Sequence, residues 1–143
     1  MFSTVLAALD PTERAPRVLR AATEVAERFS AQLYVCRAID IAQGFPPSAS
    51  TAAHRDALPD YLMAQALHEL AALCAGNPLA LAHPAIVKAG PTTRVILEAA
   101  GECGADLLVV GRHGIHGLDH LLGTTTRSVA ERASCHVLVV HRD

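Results

Sequence analysis

Val109 to Thr126 reads VVGRHGIHGLDHLLGTTT. A β-branched pair runs into Gly111, and Gly114 and Gly117 follow at short spacing. Then come a short apolar patch, Gly123 and three threonines. Glycine accepts left-handed dihedrals and lets a ligand approach the backbone with no Cβ in the way. A threonine-rich helix start offers unpaired N–H groups, hydroxyls and the positive end of the helix dipole. A strand, a glycine loop and such a helix start are the parts of a phosphate cradle. The stretch therefore predicts a nucleotide-binding α/β fold.

The rest of the chain alternates in the same way. Thr4–Leu9 (TVLAAL) is predicted as the first strand, stopped by Asp10-Pro11. From Ala15 to Phe29 the residues Val18, Leu19, Ala22, Val25, Ala26 and Phe29 recur at helical spacing, with Pro16 suited to the first turn. Gln32–Ile39 is the second strand. Residues 42–60, rich in Pro, Ser and Ala without a period, read as a mobile loop and a candidate lid. A second helix is expected from about Pro59 to Ala75, with Gly76 placed to cap it. Ala85–Lys88 is the third strand, and about Thr92 to Ala100 the third helix. The unbroken apolar run Leu107–Val110 fits a strand buried on both faces. A fourth helix over about Thr125–Ala133 and a fifth strand, Val137–Val140, complete the pattern.

Strand–helix alternation at this spacing implies right-handed crossovers and a parallel sheet. Ligands in such sheets bind beyond the carboxyl ends of the strands, at the switch point. Asp10 ends the first strand and Gly111 closes the fourth. With those strands adjacent at the centre, both point into one crevice.

At 143 residues the chain is expected to form one domain, 1–143. Its 51% apolar and 18% charged residues exclude global disorder. The net charge of −2 and the lack of a long basic run argue against nucleic acid or an anionic membrane as partner. No apolar run approaches membrane-spanning length. The first nine residues lack a basic start and a small-residue cleavage site, so they read as a strand and not a signal peptide. Cys36, Cys74, Cys103 and Cys135 lie far apart with no CxxC pair, which fits small buried hydrophobes in a reducing cytoplasm.

Two common nucleotide motifs are excluded. Of the twelve lysines and arginines only Lys88 is a lysine, and it is far from the glycines, so no GxxxxGK[ST] loop exists. The first strand is followed by Asp10-Pro11-Thr12-Glu13 with no glycine, which removes the dinucleotide fingerprint and with it NAD and FAD.

The chain resembles the universal stress protein family, in its ATP-binding, motif-bearing branch. That branch carries G-x2-G-x9-G-[ST] after its fourth strand. Here Gly111-Arg112-His113-Gly114 is followed by eight residues and then Gly123-Thr124, one residue shorter than the usual form. ADLLVVG before the loop, LLG before the threonines and the closing ERASCHVLVVH are also similar, as is the first strand running into Asp10. The resemblance implies an α/β fold with a five-stranded parallel open sheet, Rossmann-like, in the order 3-2-1-4-5 with helices on both faces. It also implies ATP as ligand. Gly111 and Gly114 would border the ribose and phosphates, with Arg112 and His113 beside them. Gly123, Thr124, Thr125 and Thr126 would hold the phosphates. Leu9 and Asp10, at the end of the first strand, would contact the nucleotide, Asp10 facing the ribose or a Mg2+ ion on the phosphates. Ala38 would contact adenine through its backbone. No catalytic residue and no metal ligand set is implied.

Plainer readings stand beside these. Asp10 could cap the first helix. Asp40 follows the second strand, where an acid can meet a ribose hydroxyl, but a solvated loop carboxylate is the simpler reading. His113, His116 and His120 are close, yet no cysteine or carboxylate pair completes a zinc set. Arg112 lies in the motif and reads as a phosphate contact, whereas Arg127 reads as surface charge. The apolar last strand would be an edge that invites pairing, and the resemblance implies a homodimer through 137–140.

Three functions remain in view. The first is a cytoplasmic, ATP-binding stress-response regulator or sensor with an unidentified client protein. The second is a slow ATPase or phosphotransfer enzyme, for which only Asp10, Arg112 and His113 offer actors. The third is an interaction module of the same fold that has lost nucleotide binding, which the shortened loop favours.

Overall fold

The computed structural model describes residues 1–40, 52–112 and 122–141, and for 52–58 the backbone alone. Among these residues five strands form one parallel sheet: β1 (Thr4–Ala8), β2 (Gln32–Ile39), β3 (Ile86–Ala89), β4 (Leu107–Gly111) and β5 (His136–Val140). The spatial order is β3-β2-β1-β4-β5, the order expected. Leu6 pairs with Tyr34 on one side and with Leu108 on the other, so β1 lies at the centre.

Strand alternation divides the core into two layers. Val5, Ala7, Leu9, Leu107 and Val109 face helix α1 (Ala15–Phe29) and the inner side of α2 (Ala52–Cys74). Leu6, Leu108 and Val110 face α4 (Thr92–Cys103) and α5 (Thr124–Arg132). Helices therefore cover both faces. Residues of β4 contribute alternately to the two layers, and the strand is buried throughout. That is why its sequence is apolar without a break.

Two elements differ from the sequence reading. Helix α2 starts at Ala52, so the expected loop is helical from that point on and Pro59 lies inside the helix. The stretch 42–60 reads as a loop because it is rich in Pro, Ser and Ala without a period, and a proline inside a helix removes a hydrogen bond and crowds the preceding turn. The alanines at 52, 53 and 57 have the highest helix propensity and carry the helix through. The lid reading otherwise falls on 41–51, outside the described residues. A short helix, α3 (Pro78–Leu81), was not expected. The Asn77 side chain starts it by accepting from Ala80 N at 3.1 Å. Its amide also donates to Thr23 Oγ1 at 2.9 Å, which ties α3 to α1. No helix among the described residues is long and apolar enough to cross a membrane.

The end of the sheet away from the strand C-termini is tied by Asp106. Its carboxylate accepts from Ser3 N at 2.8 Å and Thr4 N at 3.2 Å. The Ser3 and Thr4 amides together hold its pKa below the usual carboxylate range, the Ser3 bond most of all. A lowered folded-state pKa stabilises the fold above the unfolded-state value and loses that contribution as pH falls through the folded one. Asp106→Ala is therefore expected to unfold at lower temperature than the parent at pH 7. The gap should narrow as pH drops below about 4, which thermal melts across that range would measure.

Candidate functional site

The strands β1, β2 and β4 end at a cavity of about 290 Å3 on the α4/α5 side. That is at the lower end of the roughly 300–1,000 Å3 range of small-molecule sites. Ala8, Leu9 and Asp10 border it from β1, Cys36 to Ala38 from β2, and Val110 and Gly111 from β4. Thr92 and Ile96 of α4 face Thr125, Thr126 and Val129 of α5, with Asp40 at the margin. Ile96, Val110 and Val129 make an apolar floor, while polar groups collect at the rim.

Two helices begin beside this cavity. The N-cap residues are Pro91 for α4 and Gly123 for α5, and neither helix has a side-chain cap. The first N–H groups of a helix have no partner within it. Here they gather positive potential at the cavity from two directions. In α5 the first helical bond is Arg127 N to Gly123 O, which leaves the amides of Thr124, Thr125 and Thr126 outside the helical ladder.

The three threonines have different duties. Thr124 is exposed and does not line the cavity, Thr125 is half-buried and lines it, and Thr126 is 1% exposed. Thr126 Oγ1 donates to Gly111 O at 2.9 Å, which pins the first turn of α5 to the end of β4. Its hydroxyl proton is thus already committed. Gly111 is closely approached: a Cβ there would lie 3.1 Å from Val18 Cγ2, so the valine side chain would have to give by a few tenths of an ångström.

Asp10 caps a turn and not α1. Its Oδ1 accepts from Thr12 N at 3.0 Å and from the Thr12 hydroxyl, whereas the α1 N-cap position is Arg14. Leu9 N donates to Cys36 O at 2.9 Å. Amides alternate sides along a strand, so Ala38 turns its carbonyl to the same side, past the end of β1. That is where a base edge could meet it.

Arg112 is not brought to the cavity. Its N–H donates to Val140 O at 2.9 Å, its Nη1 lies 3.4 Å from His141 Nδ1, and it packs with Arg14, Arg17 and Val18 on the α1 side. Arg127 pairs with Glu131 on the exposed face of α5. Lys88 pairs with Glu102 at the surface, away from the cavity. Gly123 is buried at the α5 start. His113 and Gly114, like His116 and His120, lie outside the described residues.

The residue that sequence reasoning missed is Arg37. It is 6% exposed and borders the cavity at the end of β2, with its side chain on the α2 face of the sheet, and its guanidinium reaches Leu9 O, Asp10 O and Glu69. The signal was present: a charged residue in the middle of the apolar run QLYVCRAI. Cys36 also lines the cavity. Burial pushes its thiol up to about 12, so it offers no thiolate at neutral pH. Among the described residues no group of three or more histidines, cysteines and acids could hold a metal ion. The arrangement is one for binding: an apolar floor, carboxylates at the rim and paired helix starts.

The universal stress protein family model matches residues 1–141. The chain belongs to the universal stress protein family. Universal stress protein A homolog 2 of Coxiella burnetii is 37% identical over 136 residues, covering 95% of this chain and 91% of that protein. Homolog 1 of the same organism is 32% identical, covering 97% and 96%. Among solved structures, the hypothetical protein MJ0577 superposes with a TM-score of 0.80 at 21% identity, covering 100% of this chain and 98% of that one. A universal stress protein in complex with cAMP superposes at 0.64 with 24% identity, covering 99% and 98%. At these identities the structural likeness shows the shared fold.

Proposed function

We propose that residues 1–143 form one universal stress protein domain that binds an adenine nucleotide, ATP with Mg2+, in the cavity at the strand ends. The observation that carries this is the pair of helix starts without side-chain caps, α4 and α5, flanking one apolar-floored cavity. The residues fit the ligand. Ile96, Val110 and Val129 suit a base, with the Ala38 carbonyl at its edge, and Asp10 and Asp40 suit ribose hydroxyls. The amides of Thr124, Thr125 and Thr126 suit phosphates without lysine. Bound Mg2+ would neutralise phosphate charge, with Asp10 the carboxylate that would hold it. Gly114 and His113 join the site on the strength of the motif. The cAMP complex of a protein with this fold supports the adenine half of the reading.

In this reading the protein is a cytoplasmic regulator or sensor whose state follows occupancy. A second copy adds at β5, an edge strand with Leu138 37% exposed. The one-residue-shorter loop favours a second reading, an interaction module of this fold without nucleotide.

Isothermal titration with Mg·ATP tests the choice. The expected result is a micromolar Kd, about −8 kcal/mol. Ala38→Leu, which fills the cavity with a branched side chain, should weaken binding at least about tenfold, or about 1.4 kcal/mol, with little change in Tm. No heat from the parent protein would leave the interaction-module reading standing.

A further inference from the structure

We propose that Arg37 is a positioning residue for this cavity: it holds the chain leaving β1 in the shape that presents Asp10. The inference rests on the nucleotide reading of the cavity. A buried guanidinium is costly unless it is paired and hydrogen-bonded. Here Nε donates to Leu9 O at 2.8 Å, Nη2 to Asp10 O at 3.2 Å and Nη1 to Glu69 Oε2 at 2.6 Å.

The two carbonyls lie where β1 has stopped pairing as a strand, since its register with β2 ends at Ala8↔Cys36. The guanidinium thus takes over from the missing ladder and grips two successive carbonyls. Its planar fork suits that task, and a lysine ammonium does not match it. Glu69, on α2, fixes the fork from behind, and Gln65 Nε2 in turn donates to Glu69 Oε1 at 3.3 Å. Asp10 is therefore held twice, its main chain by Arg37 and its carboxylate by the Thr12 turn. A ligand meeting this wall finds it already ordered, and affinity scales with the fraction of molecules in that arrangement.

The test compares Arg37→Met, Arg37→Lys and Glu69→Gln with Leu33→Ala. Leu33 is buried in the same strand and on the same face, four residues before Arg37, so its truncation costs stability without removing any bond of the fork. Arg37→Met should lose Mg·ATP affinity about tenfold or more, with no rescue by Arg37→Lys. Glu69→Gln should lose about threefold, and Leu33→Ala under twofold despite a lower Tm. A second measurement uses no ligand. Amide exchange at Leu9 and Thr12 should quicken about tenfold in Arg37→Met and not in Leu33→Ala. If the parent binds and Arg37→Met binds within twofold of it, or Leu33→Ala is equally impaired, the positioning role is overturned. If the parent does not bind, the nucleotide reading fails on its own. Unchanged exchange at Leu9 and Thr12 would then overturn the role of Arg37 as well.

Discussion

Leu108→Ala is expected to lower the unfolding free energy by about 2–5 kcal/mol. Leu108 is 0% exposed and packs with Leu6, Cys36, Ile96, Ala99, Ala100, Val110 and Val129. Its strand neighbours are fixed in register: Leu6 on β1 and Val137 on β5. Removing the side chain leaves a hole whose walls are two strands and two helices, so little can relax to fill it. Against a total of about 5–15 kcal/mol for a domain, this one truncation takes a large share. Urea unfolding should show a lower midpoint at an unchanged slope, the mark of lost stability without a changed unfolded state. A loss below about 1 kcal/mol would contradict a β4 packed tightly on both faces.

The legibility of this fold comes from strands such as β4. A continuous apolar run of strand length has one comfortable home, the interior of a parallel sheet. Helical spacing from Val18 to Ala26 fixes the inner face of α1 just as directly, whereas Phe29 at the helix end is exposed. The start of α2 is less legible, because residues 42–60 are rich in Pro, Ser and Ala without a period, while Ala52, Ala53 and Ala57 favour helix. Arg37 was visible as an odd charge but its purpose was not. Its partners lie 28 and 32 residues away, and sequence spacing does not say what sits opposite a strand.

Arg112 shows the opposite error. Val110 faces the α4/α5 side, so alternation continued two residues would send Arg112 to the cavity. The strand ends at Gly111, however, and Arg112 packs beside Arg14 and Arg17 instead. Where regular geometry stops, periodicity stops predicting direction.

The threonine run offers the sharpest division of labour in the cavity wall, and Thr126→Val isolates it. Valine matches threonine in shape but carries no hydroxyl. The substitution leaves Gly111 O, buried at the end of β4, without its donor. An unsatisfied buried acceptor costs about 1–3 kcal/mol, and a chain of this size loses roughly 2–4 °C of Tm per kcal/mol. The first turn of α5 also loses its tie to β4, so its amides no longer converge on the cavity with Gly111. Thr126→Val should therefore melt lower and bind Mg·ATP about tenfold more weakly, or about 1.4 kcal/mol. Thr126→Ser keeps the hydroxyl and should recover most of the affinity, with part of the Tm lost to the missing methyl. Thr124→Ala removes only an exposed side chain and should leave both readouts near the parent values. The decisive comparison is valine against serine at 126. If the two variants bind alike, the Thr126–Gly111 bond is not what aims the helix start at the cavity. If serine binds and valine does not, one buried hydroxyl joins the end of β4 to the helix that would hold the phosphates.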